Sequence, residues 1–309
     1  MMCDLLSVSR SGLYDARGRE PSLRTVDDTQ IVKRIQRAQL QHRGRYGRRM
    51  TPEVSEGLGR PINHKRIDRL MREYDLSSRK RRRFRVVTTD SKHAHPVAPN
   101  VLARDFVAGV PNQKWLADLT YVPTDEGWLY VALVLDLFAR KIVALGQPLG
   151  WASGWPRAMS DTMPQELTLA ALWVALGWRD PDPGLVHHSD RGSQYYVASI
   201  QGLPPAANDY RGVLQARGFT ISMSRKGDCW DNAPTGWPRA MESANGTVKV
   251  ECVNDEHFKT RAEAERAIVE YIGYYNTERR HSALGNVSPA EFERRWRAEK
   301  NPAMKAISL

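Results

Sequence analysis

The feature that most constrains this chain is the stretch 128–138, WLYVALVLDLF, an almost unbroken apolar run. A strand with one wet face alternates apolar and polar side chains, whereas a run apolar at nearly every position needs cover on both faces. A strand pattern precedes it at 115–122, across the turn residues Asp125, Glu126 and Gly127, and a third begins over 141–145. After these, helix and strand patterns alternate. They comprise an amphipathic helix over 165–176, short strands over 185–188 and 219–224, and helices over 242–253 and 260–275. Thr260 with Glu263, and Ser288 with Glu291, are spaced as capping boxes that open helices. Three consecutive strands followed by alternation predict an α/β fold, a mixed sheet flanked by helices.

Charge divides the chain differently. The first 104 residues carry 24 Lys and Arg against 11 Asp and Glu, and the other 205 carry 22 against 24. All the excess positive charge therefore lies in the first third. That predicts a polyanion partner there, since each neutralised phosphate releases condensed counterions; a solvated basic surface is the plainer alternative. Within 28–42, helical spacing puts Ile31, Val32, Ile35 and Ala38 on one face, with Leu40 off it. Thr51 as N-cap before Pro52 opens a short helix to Leu58, which Gly59 and Pro61 end. A helix over 63–74 turns Ile67, Leu70, Met71 and Tyr74 inward and Lys65, Arg66, Arg69 and Arg72 outward. Three short helices, the last with a basic face, predict a helical helix-turn-helix-like region with those four cations as DNA contacts. The run 79–85, RKRRRFR, has no core face and reads as an arm on phosphates through Arg81, Arg82 and Arg83. The expected organisation is a basic DNA-binding region at 1–90, a linker at 91–110, a catalytic core at 111–295 and a tail at 296–309.

Cys3, Cys229 and Cys252 match no zinc or disulfide spacing. The start MMCDLLSVSR has no secretory pattern, and no apolar run approaches the ~20 residues of a bilayer span. A cytoplasmic, nucleoid-associated protein with no membrane partner is the expectation.

Three carboxylates stand out by position. Asp118 lies inside the first core strand, Asp190 just past a strand end, and Glu242 at the start of a helix. Singly, each has an ordinary reading: an edge-strand charge, a turn residue, a first-turn helix acid. Together they suit hard divalent cations, which take oxygen ligands, because carboxylates in or beside buried strands are costly unless paired or metal-bound. Two such ions about 3.5–4 Å apart activate an attacking oxygen and stabilise the leaving one.

The flanks carry a resemblance. The stretches LLSVSRSGLYD (5–15), HRGRYGRRMT (42–51), INHKRIDRLMREYDL (62–76), PNQKWLADLTYV (111–122), GWLYVALVLDLFARKIV (127–143), HHSDRGSQY (187–195), SMSRKGDCWDNAP (222–234), MESANGTVKVE (241–251) and YNTERRHSALGNVSPAEFE (275–293) run in order through most of the chain. They resemble the OrfB-type transposases of bacterial insertion sequences, the insertion sequence 3 family, whose core is shared with retroviral integrases. The resemblance implies a ribonuclease-H-like mixed sheet and a DNA transposase performing metal-dependent phosphodiester hydrolysis and strand transfer. It implies Asp118, Asp190 and Glu242 as the catalytic and metal-binding triad, holding two Mg²⁺ ions, with Mn²⁺ as a substitute. It implies Lys249, two helical turns past Glu242, as a DNA phosphate contact. The implied partners are DNA, as terminal inverted repeats and target, further copies of the chain on DNA, and an upstream-frame helix-turn-helix protein. His187 and His188 read as structural or DNA-facing. Arg279, Arg280 and His281 read as core support or DNA contacts.

The chain departs from the family pattern at three places, with extra sequence near 144–157, 196–206 and 235–240, and 51 residues separate Asp190 from Glu242. The hexapeptide GWPRAM occurs at both 154–159 and 236–241, as duplicated inserted sequence would. The expectation is a surviving fold with catalysis impaired. The alternatives are a catalytically inactive DNA-binding remnant or inhibitor of transposition, and a nuclease with the same core.

Overall fold

The computed structural model describes residues 9–78, 97–144, 158–162, 165–192, 195, 209–224, 240–254 and 256–300, with the backbone alone for 13, 16, 49, 165 and 240–243. The chain falls into two compact units, Met1–Lys80 and Arg81–Leu309. The three stretches read as insertions fall almost wholly outside the described residues, as do Arg81, Arg82 and Arg83.

The first unit is helical: α1 (Arg10–Gly18), α2 (Leu23–Gln41), α3 (Thr51–Leu58) and α4 (His64–Glu73). Ser22 caps α2 by accepting from the Thr25 N–H, and Asn63 caps α4 by accepting from the Lys65 N–H. The apolar stripe of α2, Ile31, Val32, Ile35 and Ala38, meets Met50, Val54, Ile67, Leu70 and Met71 in one core, while Leu40 stays exposed. Two expectations need correction. Thr51 is not the cap of α3, because a 3₁₀ turn over Arg48–Met50 runs straight into that helix. Tyr74 is half exposed, because it is the C-cap of α4 and no longer follows the helical stripe. Gly59 ends α3 at φ 66°, a left-handed conformation that glycine adopts without Cβ strain.

The second unit is built on a sheet of β1 (Lys114–Thr124), β2 (Gly127–Asp136), β3 (Lys141–Ala144), β4 (Met159–Ser160), β5 (Val186–Ser189) and β6 (Thr220–Met223). The order is β3-β2-β1-β5-β6, antiparallel on the β2 side of β1 and parallel through β5 and β6. This is the ribonuclease-H-like mixed sheet that the resemblance implies. β3 and β4 both pair with β2, so they occupy one edge.

The sheet is covered on both faces, as the apolar run requires. Ala132 and Val134 of β2 join Trp115 and Ala117 under α5 (Gln165–Arg179) and α6 (Tyr210–Ala216). Val131, Leu133 and Leu135 point the other way, into a core with Ala244 and Val248 of α7 (Ala240–Val248) and Ile268 and Tyr271 of α8 (Arg261–Thr277). Half of the expected capping box of α8 forms, with the Thr260 hydroxyl accepting from the Glu263 N–H at 3.1 Å, while the Glu263 carboxylate accepts from the Lys259 N–H at 2.9 Å. The stretch read as a linker is packed where it is described: Ala98 and Leu102 are buried, and the Val101 and Leu102 N–H groups both donate to Ser222.

Two buried ion-pair networks fix the flanking helices. Arg179 of α5 bridges Asp136 of β2 and Glu293 of α9 (Pro289–Lys300), each at 2.8 Å, and so ties three elements. Arg279 pairs with Glu251 at 2.7 Å, Tyr271 donates to the same carboxylate, and the His281 ring packs on Tyr275. Arg279 and His281 are therefore core support in this unit. Breaking such a buried pair costs about 3–5 kcal/mol, because the remaining charge is left uncompensated.

Candidate active site

Register brings the two aspartates together. In the parallel pairing of β1 with β5, Ala117 stands opposite Ser189. Asp118 and Asp190 are the next residues in the chain, so the two acids lie one step beyond the last paired rung of strands ~4.8 Å apart. Both follow the alternation of Leu116 and His188, which are themselves opposite each other, and Leu116 belongs to the core under α7 and α8. The aspartates thus lie on the face that α7 covers.

Asp118 is held from two sides. Its Oδ1 accepts from the Leu119 N–H at 2.9 Å, and its Oδ2 accepts from the side-chain amide of Asn245 on α7 at 2.6 Å. Burial and the negative charge of Asp190 push the Asp118 carboxyl up to about 7, against the opposing pull of those hydrogen bonds and of Lys249. Asp190 accepts at Oδ1 from the Gly192 N–H at 2.9 Å, closing a tight turn after β5. Tyr195 adds a buried hydroxyl with no hydrogen-bond partner among the described residues, and its proton affinity is raised by burial and then by Asp190.

Glu242 sits on α7 one turn before Asn245 and two turns before Lys249, on the same helical face. Its side chain lies outside the described residues. Among the described residues, no three His, Cys, Asp or Glu side chains cluster as a metal centre, and these exclude the Glu242 carboxylate. Lys249 places its ammonium 4.0 Å from the centroid of the Tyr121 ring, and burial holds its proton affinity below the usual lysine value. It opens a π-helical turn, Lys249–Val253, of the kind that often accompanies functional sites.

His187 and His188 are not ligands in this arrangement. His187 is buried against Tyr210, with 3.0 Å between its Nε2 and the phenol oxygen, and His188 shares a 2.8 Å hydrogen bond with Ser222. Sequence reasoning missed Asn245, although its three-residue spacing from Glu242 was the available signal.

The four cations of α4 divide in two. Arg66 is paired with Asp27 at 2.8 Å and with Asp28 at 2.6 Å, and Arg69 with Asp28 at 2.5 Å and Glu73 at 2.8 Å. Both arginines thereby clamp α4 to α2. Lys65 and Arg72 are exposed, with Arg72 donating to the Asp68 carbonyl.

The comparisons with known proteins cover most of the chain. Residues 110–229 and 217–289 match two family models, each described as an integrase core domain, and residues 26–84 match a model described as an HTH-like domain. The chain is 43% identical over 297 residues to an uncharacterised 31 kDa protein of insertion element IS600 from Shigella sonnei, covering 96% of this chain and 98% of that protein. It is 38% identical to the transposase of IS904 from Lactococcus lactis, covering 89% and 98%. It is 36% identical to the transposase InsF of IS3A from Escherichia coli K12, covering 94% and 92%. Among solved structures, the magnesium-bound catalytic core of HTLV-2 integrase aligns with a TM-score of 0.39 at 11% identity, covering 60% of this chain and 99% of that one.

Proposed function

Since the chain belongs to the insertion sequence 3 family of DNA transposases, we propose that Asp118, Asp190 and Glu242 are the catalytic carboxylates of a metal-dependent polynucleotidyl transfer. The observation that carries this reading is that Asp118 and Asp190 each directly follow the last paired rung of β1 and β5 and act on one another electrostatically, with Asp118 held by the helix that bears Glu242. Two acids so placed repel each other, and the buried one is pushed toward its neutral form. An all-oxygen donor set under that strain fits a hard divalent cation. Asp118, Asp190 and Glu242 would hold two Mg²⁺ ions, or Mn²⁺ in their place. Such ions supply Lewis-acid stabilisation of charge on the phosphoryl oxygens.

The chain's own groups position the reaction. The substrate is a phosphodiester at the element's end, attacked first by water to free a 3′-hydroxyl; that hydroxyl then attacks another phosphodiester, whose own 3′-oxygen leaves as a new hydroxyl end. Lys249, beside the site, contacts a backbone phosphate. The helical unit binds the terminal inverted repeats through Lys65 and Arg72, and the arm that follows it adds Arg81, Arg82 and Arg83. Arg66 and Arg69 contribute only where a phosphate displaces their carboxylates. The working assembly is several copies on DNA in the cytoplasm, with the upstream-frame helix-turn-helix protein as fusion or partner.

The three extra stretches favour a second element of this reading, that turnover is reduced in this copy. One ends at Ala240, the first residue of α7 and two before Glu242, and a displacement of about 1 Å at an active site can cost about a hundredfold in rate.

Asp118→Asn separates the enzyme from a binding remnant. The variant is expected to bind terminal-repeat DNA with unchanged affinity and to lose strand transfer by at least a hundredfold. Equal strand transfer by the variant and the parent chain would count against the triad.

A further inference from the structure

Asn245 is 8% exposed on α7 and donates its amide to Asp118 Oδ2 at 2.6 Å. The Leu119 N–H occupies the other oxygen at 2.9 Å. Each carboxylate oxygen thus receives one protein donor, which fixes the plane of the group and leaves the remaining lone pairs to a ligand. The orientation of the amide follows from chemistry, because only its nitrogen can donate to a carboxylate. That leaves Asn245 Oδ1 buried with no hydrogen-bond partner among the described residues. A half-satisfied buried amide is costly, and asparagine is a poor helix former. An apolar side chain would fill the same space without either penalty, so packing does not account for the residue.

We propose that Asn245 is a positioning residue of the polynucleotidyl transfer site: it orients the Asp118 carboxylate toward the divalent cation and offers its amide oxygen to a water bound there. The inference rests on the carboxylate site proposed above. It predicts a role in cation affinity that is separable from folding, as partners that orient metal ligands typically contribute about 10–100-fold in affinity.

The test is Mn²⁺ titration of the full chain, with free ion counted by electron paramagnetic resonance and a thermal melt for each variant. Asn245→Ala removes the donor, and Asn245→Leu removes it while keeping the volume, so that a variant with intact packing is available. Both are expected to weaken Mn²⁺ binding tenfold or more without a matching loss of Tm, and Asn245→Gln, which keeps the amide, to recover part of it. Unchanged Mn²⁺ affinity in the Ala and Leu variants overturns the inference. Asp118→Asn is the control. If it loses Mn²⁺ while the Asn245 variants keep it, only this inference falls; if it binds Mn²⁺ as the parent does, the carboxylate site falls as well.

Discussion

His187 shows how a buried side chain at the centre of the sheet couples folding to pH. It is fully enclosed, and burial with the neighbouring His188 pushes its proton affinity down to about 3 from an ordinary 6.5. The folded chain therefore keeps it neutral while the unfolded chain protonates it below about 6.5. Stability from this group is fully present above the unfolded value and is lost as pH falls from there toward 3. The loss between pH 7 and pH 5 is on the order of 2 kcal/mol. Urea melts at the two pH values, compared between the parent chain and His187→Phe, isolate this contribution from that of the buried Asp118 carboxyl, which acts with the opposite sign: the variant is expected to lose about that much less stability than the parent from pH 7 to pH 5. A slope unchanged in the variant contradicts it. At this scale the sequence was partly legible. The carboxylate inside an apolar strand marked Asp118, because charge in such a place demands a partner. The paired histidines gave no such signal, since their orientation depends on Tyr210 and Ser222, which only the fold brings near. Asn245 was hidden for the same reason: its partner is 127 residues away in sequence.

Among elements, α4 and the split edge strand carry distinct expectations. The basic face of α4 was legible from helical spacing, but its division was not, because Asp27 and Asp28 reach Arg66 and Arg69 only after α2 packs on α4. Lys65→Ala and Arg72→Ala are each expected to lower the salt slope of terminal-repeat binding by about 1. Arg69→Ala should lower the Tm of the helical unit and leave that slope nearly intact. A salt slope that drops equally for all three contradicts this division. In the sheet, Ala144 pairs with Val134 and Met159 with Val131. That is three rungs along β2 for fifteen residues of chain, an excess of twelve. Deleting 146–157 leaves Leu145 opposite Leu133 and joins β3 to β4 in register. Removing a loop of this length is expected to raise stability by roughly 2 kcal/mol, and strand transfer is expected to rise when the stretches 196–206 and 235–240 are removed as well. Unfolding on deletion, or no gain in strand transfer, contradicts the reading of these stretches as insertions. The same strand shows why β4 was not foreseen: two residues bounded by extra sequence carry no period.

For the whole molecule, the account joins a DNA-binding helical unit to a core whose sheet register, not any local motif, sets two aspartates side by side. The double-sided apolar strand made that core legible, and the basic first third announced the other unit; α1 and α6, of nine and seven residues, are too short for a clear stripe and lack the first-turn proline that marked the similarly short α3. The central claim is that Asp118, Asp190 and Glu242 together hold the cation that permits phosphodiester cleavage. The most direct measurement is Mg²⁺-dependent release of the 3′-hydroxyl end from a terminal-repeat duplex by the parent chain and by Asp190→Asn and Glu242→Gln. The account predicts cleavage by the parent that is abolished by EDTA, and none by either variant although both still bind the duplex. Cleavage that persists in EDTA, or in either variant at the parent's rate, would contradict it.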